Sequence, residues 1–256
     1  MLQAASVSVH RLNKTLLHPI SVIFNPGELI VLLGPNGAGK STLLHCLAGG
    51  VADSTGELYW QQQPINQLSR QFKSQHIAFL GQQHQLQFAF TVAEVVALGR
   101  LPWNTSSAEN SHWVKLALQC FDIIHLQNRN YLSLSGGEQQ RVQLARVWVQ
   151  VQAKKPETRC LLLDEPLAAL DPKHQLQLME EARQFAHAGH VVVMVLHDMN
   201  MALRYADRVL LLNEGKAEGW GKPVEVLTPE QIANVFSLNV SIMSHPDRDF
   251  SFVVIN

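Results

Sequence analysis

Two short stretches of this 256-residue chain carry residue types and spacings suited to phosphate chemistry. The first is Gly34-Pro-Asn-Gly-Ala-Gly-Lys-Ser41, set directly behind the apolar run Leu29–Leu33. It fits the phosphate-loop pattern G-x-x-x-x-G-K-[ST], with the buried strand before it and the helix after it that the pattern requires. The glycines let the backbone fold round a phosphate, so that successive N–H groups and a positive helix end face the anion. Lys40 adds a point charge, and the Ser41 hydroxyl suits Mg²⁺, a hard cation that prefers oxygen. The expected nucleotide contacts are therefore Gly34, Pro35, Asn36, Gly37, Ala38, Gly39, Lys40, Ser41 and Thr42. The second stretch is Cys160-Leu-Leu-Leu-Asp-Glu-Pro166, an apolar run ending in two adjacent carboxylates. Burying charge is costly unless a metal or a proton-transfer role compensates. Asp164 is placed to hold Mg²⁺, and Glu165 becomes the candidate base for an attacking water.

Those two motifs need a sheet to align them, and the chain alternates strands and helices. Residues 1–33 are expected to form short strands joined by turns such as Asn25-Pro-Gly27. Gly56–Trp60 and Ile77–Leu80 have strand character. From about Gln82 to Val151 the periodicity becomes helical, over Val92–Leu98, Val114–Ile124 and the segment following Ser135. A polar linker, 152–158, precedes the buried strands Cys160–Leu163 and Val191–Leu196, then a third run, Val209–Leu212. Thr228-Pro-Glu-Gln231 reads as a capping box with proline at the first helical position.

Composition sets bounds on function. A 46% hydrophobic content can bury a full α/β core, with a sub-domain inserted. The apolar runs stop at strand length, and Met1–Ser6 lacks the pattern of a signal peptide, so a cytoplasmic protein is expected. Cys46, Cys120 and Cys160 are odd in number and scattered, and read as reduced core residues. A formal charge of −1 provides no field for holding nucleic acid.

A third motif, Leu134-Ser-Gly-Gly-Glu-Gln-Gln-Arg141, again opens a helix with a hydroxyl and free N–H groups. With it the sequence resembles the ATP-binding cassette (ABC) ATPases over nearly its whole length. Leu134–Gln139 is similar to their signature motif, with Glu138 where many members have glutamine. The resemblance implies that Ser135, Gly136 and Gly137 cap an ATP held by another subunit's phosphate loop. It implies that Gln82 reaches Mg²⁺ beside Ser41 and Asp164, and that His197 contacts the γ-phosphate. Asp171 ends the loop Leu167-Ala-Ala-Leu-Asp171, which crosses between subunits in that family. The implied fold is an α/β phosphate-loop cassette: a mostly parallel core sheet, an antiparallel β portion, and a helical sub-domain over 83–151 inserted between 1–82 and 152–256. The implied catalytic set is Glu165, His197 and Lys40, acting on ATP with Mg²⁺. The position where members usually stack an aromatic side chain on adenine, aligned on Asn13-Lys-Thr-Leu-Leu17, falls here at Arg11, whose guanidinium plane can also stack on a base.

Glu94–Trp103 and His197–Asp207 resemble segments of the ATPases that energise importers of siderophores, vitamin B12 and haem. The signature helix followed by a long linker, and the tail Ser244-His-Pro246, favour haem within that group. The resemblance implies a homodimer, two copies of a transmembrane permease, a periplasmic binding protein and a place at the cytoplasmic face of the inner membrane. The apolar residues Phe88, Phe90, Leu101 and Trp103 are expected to help form the groove that receives a permease loop. A soluble ABC ATPase acting on DNA or ribosomes is the alternative of a different class, and such proteins carry tandem cassettes or long coiled-coil insertions.

Overall fold

The apolar run before the phosphate loop is strand β3 (Glu28–Leu33), and its alternate side chains serve two different cores. Successive residues of a strand face opposite sides, so a strand buried on both faces reads as an unbroken apolar run. Leu29, Val31 and Leu33 join one core, and Ile30 and Leu32 the other. The same division runs through β7 (Cys160–Asp164) and β8 (Val191–Val195). These strands belong to a six-stranded sheet with β6 (Ile77–Leu80), β9 (Arg208–Asn213) and β10 (Lys216–Gly221), in the order β10-β9-β3-β8-β7-β6. All its pairings are parallel except β9 with β10. The structure is a computed structural model and describes residues 1–12, 14–51, 53–82, 88–246 and 250–256.

On one face lie helix α1 (Lys40–Leu47) and an antiparallel sheet of β1 (Leu2–Arg11), β2 (Lys14–Phe24), β4 (Ser54–Trp60) and β5 (Gln63–Pro64). β1 and β2 are long strands whose pairing shifts register at three places, not the short strands expected from the sequence. A short helix, α2 (Arg70–His76), leads into β6. The other face is covered by helices α3 (Val92–Ala97), α4 (Ser107–Cys120), α5 (Gly136–Gln150), α6 (Pro172–His187) and α7 (Met199–Tyr205). The chain closes with α8 (Pro223–Val226), α9 (Pro229–Phe236) and a two-stranded hairpin, β11 (Val240–Ser244) with β12 (Ser251–Ile255).

Two helix ends differ from those expected from the sequence. The expected helix over 114–124 begins seven residues earlier, capped by the Ser106 hydroxyl, and stops at Cys120. Asp122 adopts a left-handed backbone (φ 51°) that a helix cannot continue through. At Thr228 only half a capping box forms. The hydroxyl accepts from Gln231 N, but the Gln231 amide turns away to Glu218 O.

Candidate functional site

The phosphate loop runs from the end of β3 into α1 at the C-terminal edge of the parallel sheet, where ligands bind in open α/β folds. Its shape depends on glycine at two positions. A Cβ on Gly34 would lie 2.1 Å from Leu212 O, and Gly39, the N-cap of α1, has φ +97°. Gly39 offers no side-chain cap, so the first N–H groups of α1 face outward without a partner from that residue. Lys40 is buried, with Nζ donating to Gly34 O at 2.7 Å and Pro35 O at 2.9 Å. Burial lowers its pKa, while Glu165 and Asp164 act the other way.

Asp164 closes β7 below the loop. Its Oδ1 accepts from Ser41 Oγ at 3.0 Å, and its Oδ2 is buried with no hydrogen-bond partner among the described residues. Burial raises the pKa of this carboxylate against the opposing Ser41 bond. A hydroxyl beside a buried carboxylate oxygen lacking a donor fits a hard divalent cation.

Glu165 is the next residue, in a left-handed backbone (φ 48°) that lifts its side chain out of the strand line. His197 Nε2 lies 2.9 Å from Glu165 Oε1, just past the end of β8. Burial would raise the Glu165 pKa, but hydrogen bonds and charge from His197, a hydrogen bond from Gln82 and the Lys40 charge outweigh it and hold it low. Glu165, His197 and Gln82 line an open cleft of about 680 Å³ with the loop residues Asn36 to Thr42. Gly34 and Pro35 shape the loop from beneath by binding Lys40.

Arg11 is exposed at the end of β1 and does not line this cleft. Lys14 and Leu16, on the following strand, do. The sequence alignment on Asn13 falls at a residue outside those described. The β1–β2 hairpin brings every second residue of β2 to one face, a signal that a motif comparison does not use.

Ser135, Gly136, Gly137 and Asp171 are away from the cleft. Ser135 caps α5 in a full capping box: its hydroxyl accepts from Glu138 N at 3.4 Å, and Glu138 Oε2 accepts from Ser135 N at 2.8 Å. The Ser-x-x-Glu spacing is readable in the sequence as a cap. Nothing stands within 4 Å of a Cβ placed on Gly136, whereas one on Gly137 would meet Ala169 O at 2.7 Å. Asp171 caps α6, accepting from His174 N at 3.0 Å, and its other oxygen lies 2.8 Å from His174 Nδ1.

A separate groove between α3 and α4 is lined by Ala93, Glu94, Ala97, Ser111 and Val114 among others. Phe88, Phe90, Leu101 and Trp103, expected to help form a permease-receiving groove, are not among the residues that line this one. Phe88 and Leu101 are exposed, while Phe90 packs on the core. Trp103 is half-buried, its Nε1 donating to Gln150 O at 2.7 Å with the Arg100 guanidinium over its ring. The part of that segment between 83 and 87 lies outside the described residues. Among the described residues, no helix is long and apolar enough to cross a membrane.

A fold of this topology, with a phosphate loop, a strand-end carboxylate pair and a histidine at its sheet edge, defines a phosphate-loop ATPase. Residues 17–168 match the family model described as ABC transporter, and the chain belongs to that family. It is 44% identical to the hemin import ATP-binding protein HmuV of Pseudomonas fluorescens, over 99% of both chains. The protein of the same name from Myxococcus xanthus is 42% identical, over 99% of this chain and 96% of its own. Among solved structures, a chain assigned to the metal-chelate type ABC transporters, in an inward-facing conformation, matches with TM-score 0.80 and 26% identity, over 100% of this chain and 97% of that one. The ATP-binding cassette MJ0796, a dimer bound to ADP and Pi, matches with TM-score 0.76 and 27% identity, over 87% of this chain and 99% of that one.

Proposed function

We propose that this chain is the ATP-hydrolysing subunit of a haem importer, acting as a homodimer bound to two permease subunits at the cytoplasmic face of the inner membrane. The observation that carries the ATPase reading is the convergence of Lys40, the Ser41–Asp164 pair and the Glu165–His197 pair on one open cleft. The cargo reading is supported by the full-length likeness to hemin import ATP-binding proteins. The metal-chelate neighbour supports a second reading, in which the same machine imports vitamin B12 or a ferric siderophore. A periplasmic binding protein completes either system.

In the cleft, Lys40 leaves the carbonyls of Gly34 and Pro35 for the outer phosphates, an exchange of one set of oxygens for another. Ser41, Asp164 and Gln82 are the residues that would hold Mg²⁺, which supplies charge neutralisation on the phosphate oxygens. Glu165, kept ionised by His197 and Gln82, accepts a proton from the attacking water, and His197 stands beside it facing the terminal phosphate. Ser135, Gly136 and Gly137 do not line the cleft of their own chain. We assign them to the ATP of the partner chain, with Asp171 at the crossing loop. Nucleotide then bridges two chains, and hydrolysis weakens the bridge. Segment 83–151 acts as a sub-domain against 1–82 and 152–256, and its α3–α4 groove receives the permease loop.

The cargo is tested by growth of a deletion strain on haem, vitamin B12 or a ferric siderophore as limiting nutrient. Loss of haem use alone, restored by the wild type and not by Lys40→Ala, is the expected result. Intact haem use with loss of either other nutrient would transfer the assignment to that cargo.

A further inference from the structure

The tail motif His245-Pro246 has no part in the cleft, yet the hairpin it belongs to reaches the segment that carries His197. His245 N donates to Phe250 O at 2.9 Å and Asn256 N to Asn239 O at 3.0 Å, which fixes the hydrogen-bonded rungs of β11–β12 at 245/250 and 239/256. Rungs alternate in an antiparallel pair, so Ile242/Val253 is a rung without mutual hydrogen bonds. The N–H and C=O of Val253 therefore point away from β11. One side chain takes both: Val253 N donates to Asn200 Oδ1 at 2.7 Å, and Asn200 Nδ2 donates to Val253 O at 3.3 Å. A single amide thus stands in for a third strand. Arg204, one turn further along α7, lies with its guanidinium 5.5 Å from the Phe250 ring centre.

Asn200 is the second residue of α7 and three residues after His197. Between them Asp198 caps the helix, accepting from Asn200 N at 2.7 Å and Met201 N at 3.2 Å. The link from hairpin to histidine is therefore short: hydrogen bonds join Val253 to Asn200 and Asn200 to Asp198, and the peptide bond joins Asp198 to His197. His197 itself stands in an exposed turn between β8 and α7, with Nε2 2.9 Å from Glu165 Oε1.

We infer that Asn200 is a positioning residue for His197, and that the C-terminal hairpin is a strap fixing α7 so that the histidine keeps its place against Glu165. The inference rests on the role proposed above for His197. Chemistry, not nucleotide binding, should respond, because Lys40 and Ser41 lie on α1 and touch neither the strap nor α7.

The test is steady-state ATP hydrolysis by the full-length chain. Asn200→Ala is expected to lower kcat about 3- to 10-fold with KM for ATP within about twofold of wild type. Val253→Pro removes the N–H that Asn200 accepts without breaking a hairpin rung, and is expected to do the same. Val253→Ala keeps that N–H and should stay near wild type. Because both act on one bond, Asn200→Ala combined with Val253→Pro should be no worse than either alone. Unchanged kcat in Asn200→Ala overturns the inference. So do multiplicative losses in the double variant, and an equal loss in Val253→Ala with a matching fall in melting temperature. His197→Ala separates the two levels. If it hydrolyses ATP at the wild-type rate, the catalytic reading of His197 fails. If it is inactive while Asn200→Ala is unaffected, only the strap fails.

Discussion

The two glycine-rich helix starts of this chain, at Gly39 and at Ser135, are built on opposite plans. Gly39 brings no side chain to the first turn of α1 and no acidic residue follows in that turn, while Lys40 is buried and Ser41 meets the Asp164 carboxylate. Ser135 brings its own hydroxyl, and Glu138 reaches back to the Ser135 N–H, so the start of α5 is satisfied and carries a carboxylate. Free donors at a helix start cost stability unless something accepts from them. The first start is therefore a site waiting for an anion within its own chain, and the second is a stable cap at the surface. In the dimer reading, the second becomes an anion site only when the partner's nucleotide competes with Glu138. On that reading, the difference lets one chain hold two such turns and bind nucleotide at only one of them alone.

The largest effect should come from removing the charge beneath the first start. Asp164→Asn keeps an oxygen for Ser41 but discards the buried carboxylate. We expect hydrolysis to fall by about 10²-fold, as for other groups that hold charge in a phosphoryl-transfer site. Burial raises the Asp164 pKa, so the ionised form is disfavoured in the folded state, and its cost is present at neutral pH and relieved as pH falls through the raised value. The Asn variant escapes that cost. Its melting temperature without nucleotide should exceed wild type in thermal unfolding at neutral pH, with the gap closing as pH falls. A lower melting temperature would show that the carboxylate is a stabilising partner of Ser41, contrary to its assignment.

A smaller effect belongs to the second start. Glu138→Gln retains the cap geometry and removes the negative charge that faces an incoming phosphate. The KM for ATP is expected to fall by about twofold, with stability lower by about 0.5 kcal/mol from the lost charge at a helix N-terminus. The Ser135 N–H and hydroxyl hold the Glu138 pKa below its ordinary value. Its contribution is therefore full above the ordinary carboxylate range and is lost as pH falls through the lowered one. Acid unfolding followed by circular dichroism should show wild type and variant converging at low pH. A KM that rises in Glu138→Gln would mean the carboxylate assists ATP binding.

The same contrast explains what was legible in the sequence. Gly34–Ser41 and Cys160–Pro166 could be read because their chemistry is local: a loop, a strand end, and a spacing that permits one geometry. The two-faced burial of Leu29–Leu33 was equally plain. Contacts made across the fold were not. Trp103 was drawn inward by the Gln150 carbonyl of α5, 47 residues away. Lys14 and Leu16 enter the cleft, and Arg11 does not, because of hairpin register. The tie from Asn200 to Val253 spans 53 residues and involves only backbone on one side, which no side-chain pattern records.

The most direct test of the central claim is the state of association of Glu165→Gln. This variant keeps shape and hydrogen bonding but cannot accept a proton, so ATP should bind and persist, with turnover reduced by about 10²-fold or more. Size-exclusion chromatography with light scattering should then show a monomer without nucleotide and a dimer with ATP and Mg²⁺. Adding Ser135→Arg, which fills the partner-facing turn, should return it to monomer while ATP still binds. A Glu165→Gln chain that hydrolyses ATP at the wild-type rate, or stays monomeric at saturating ATP, would contradict the account.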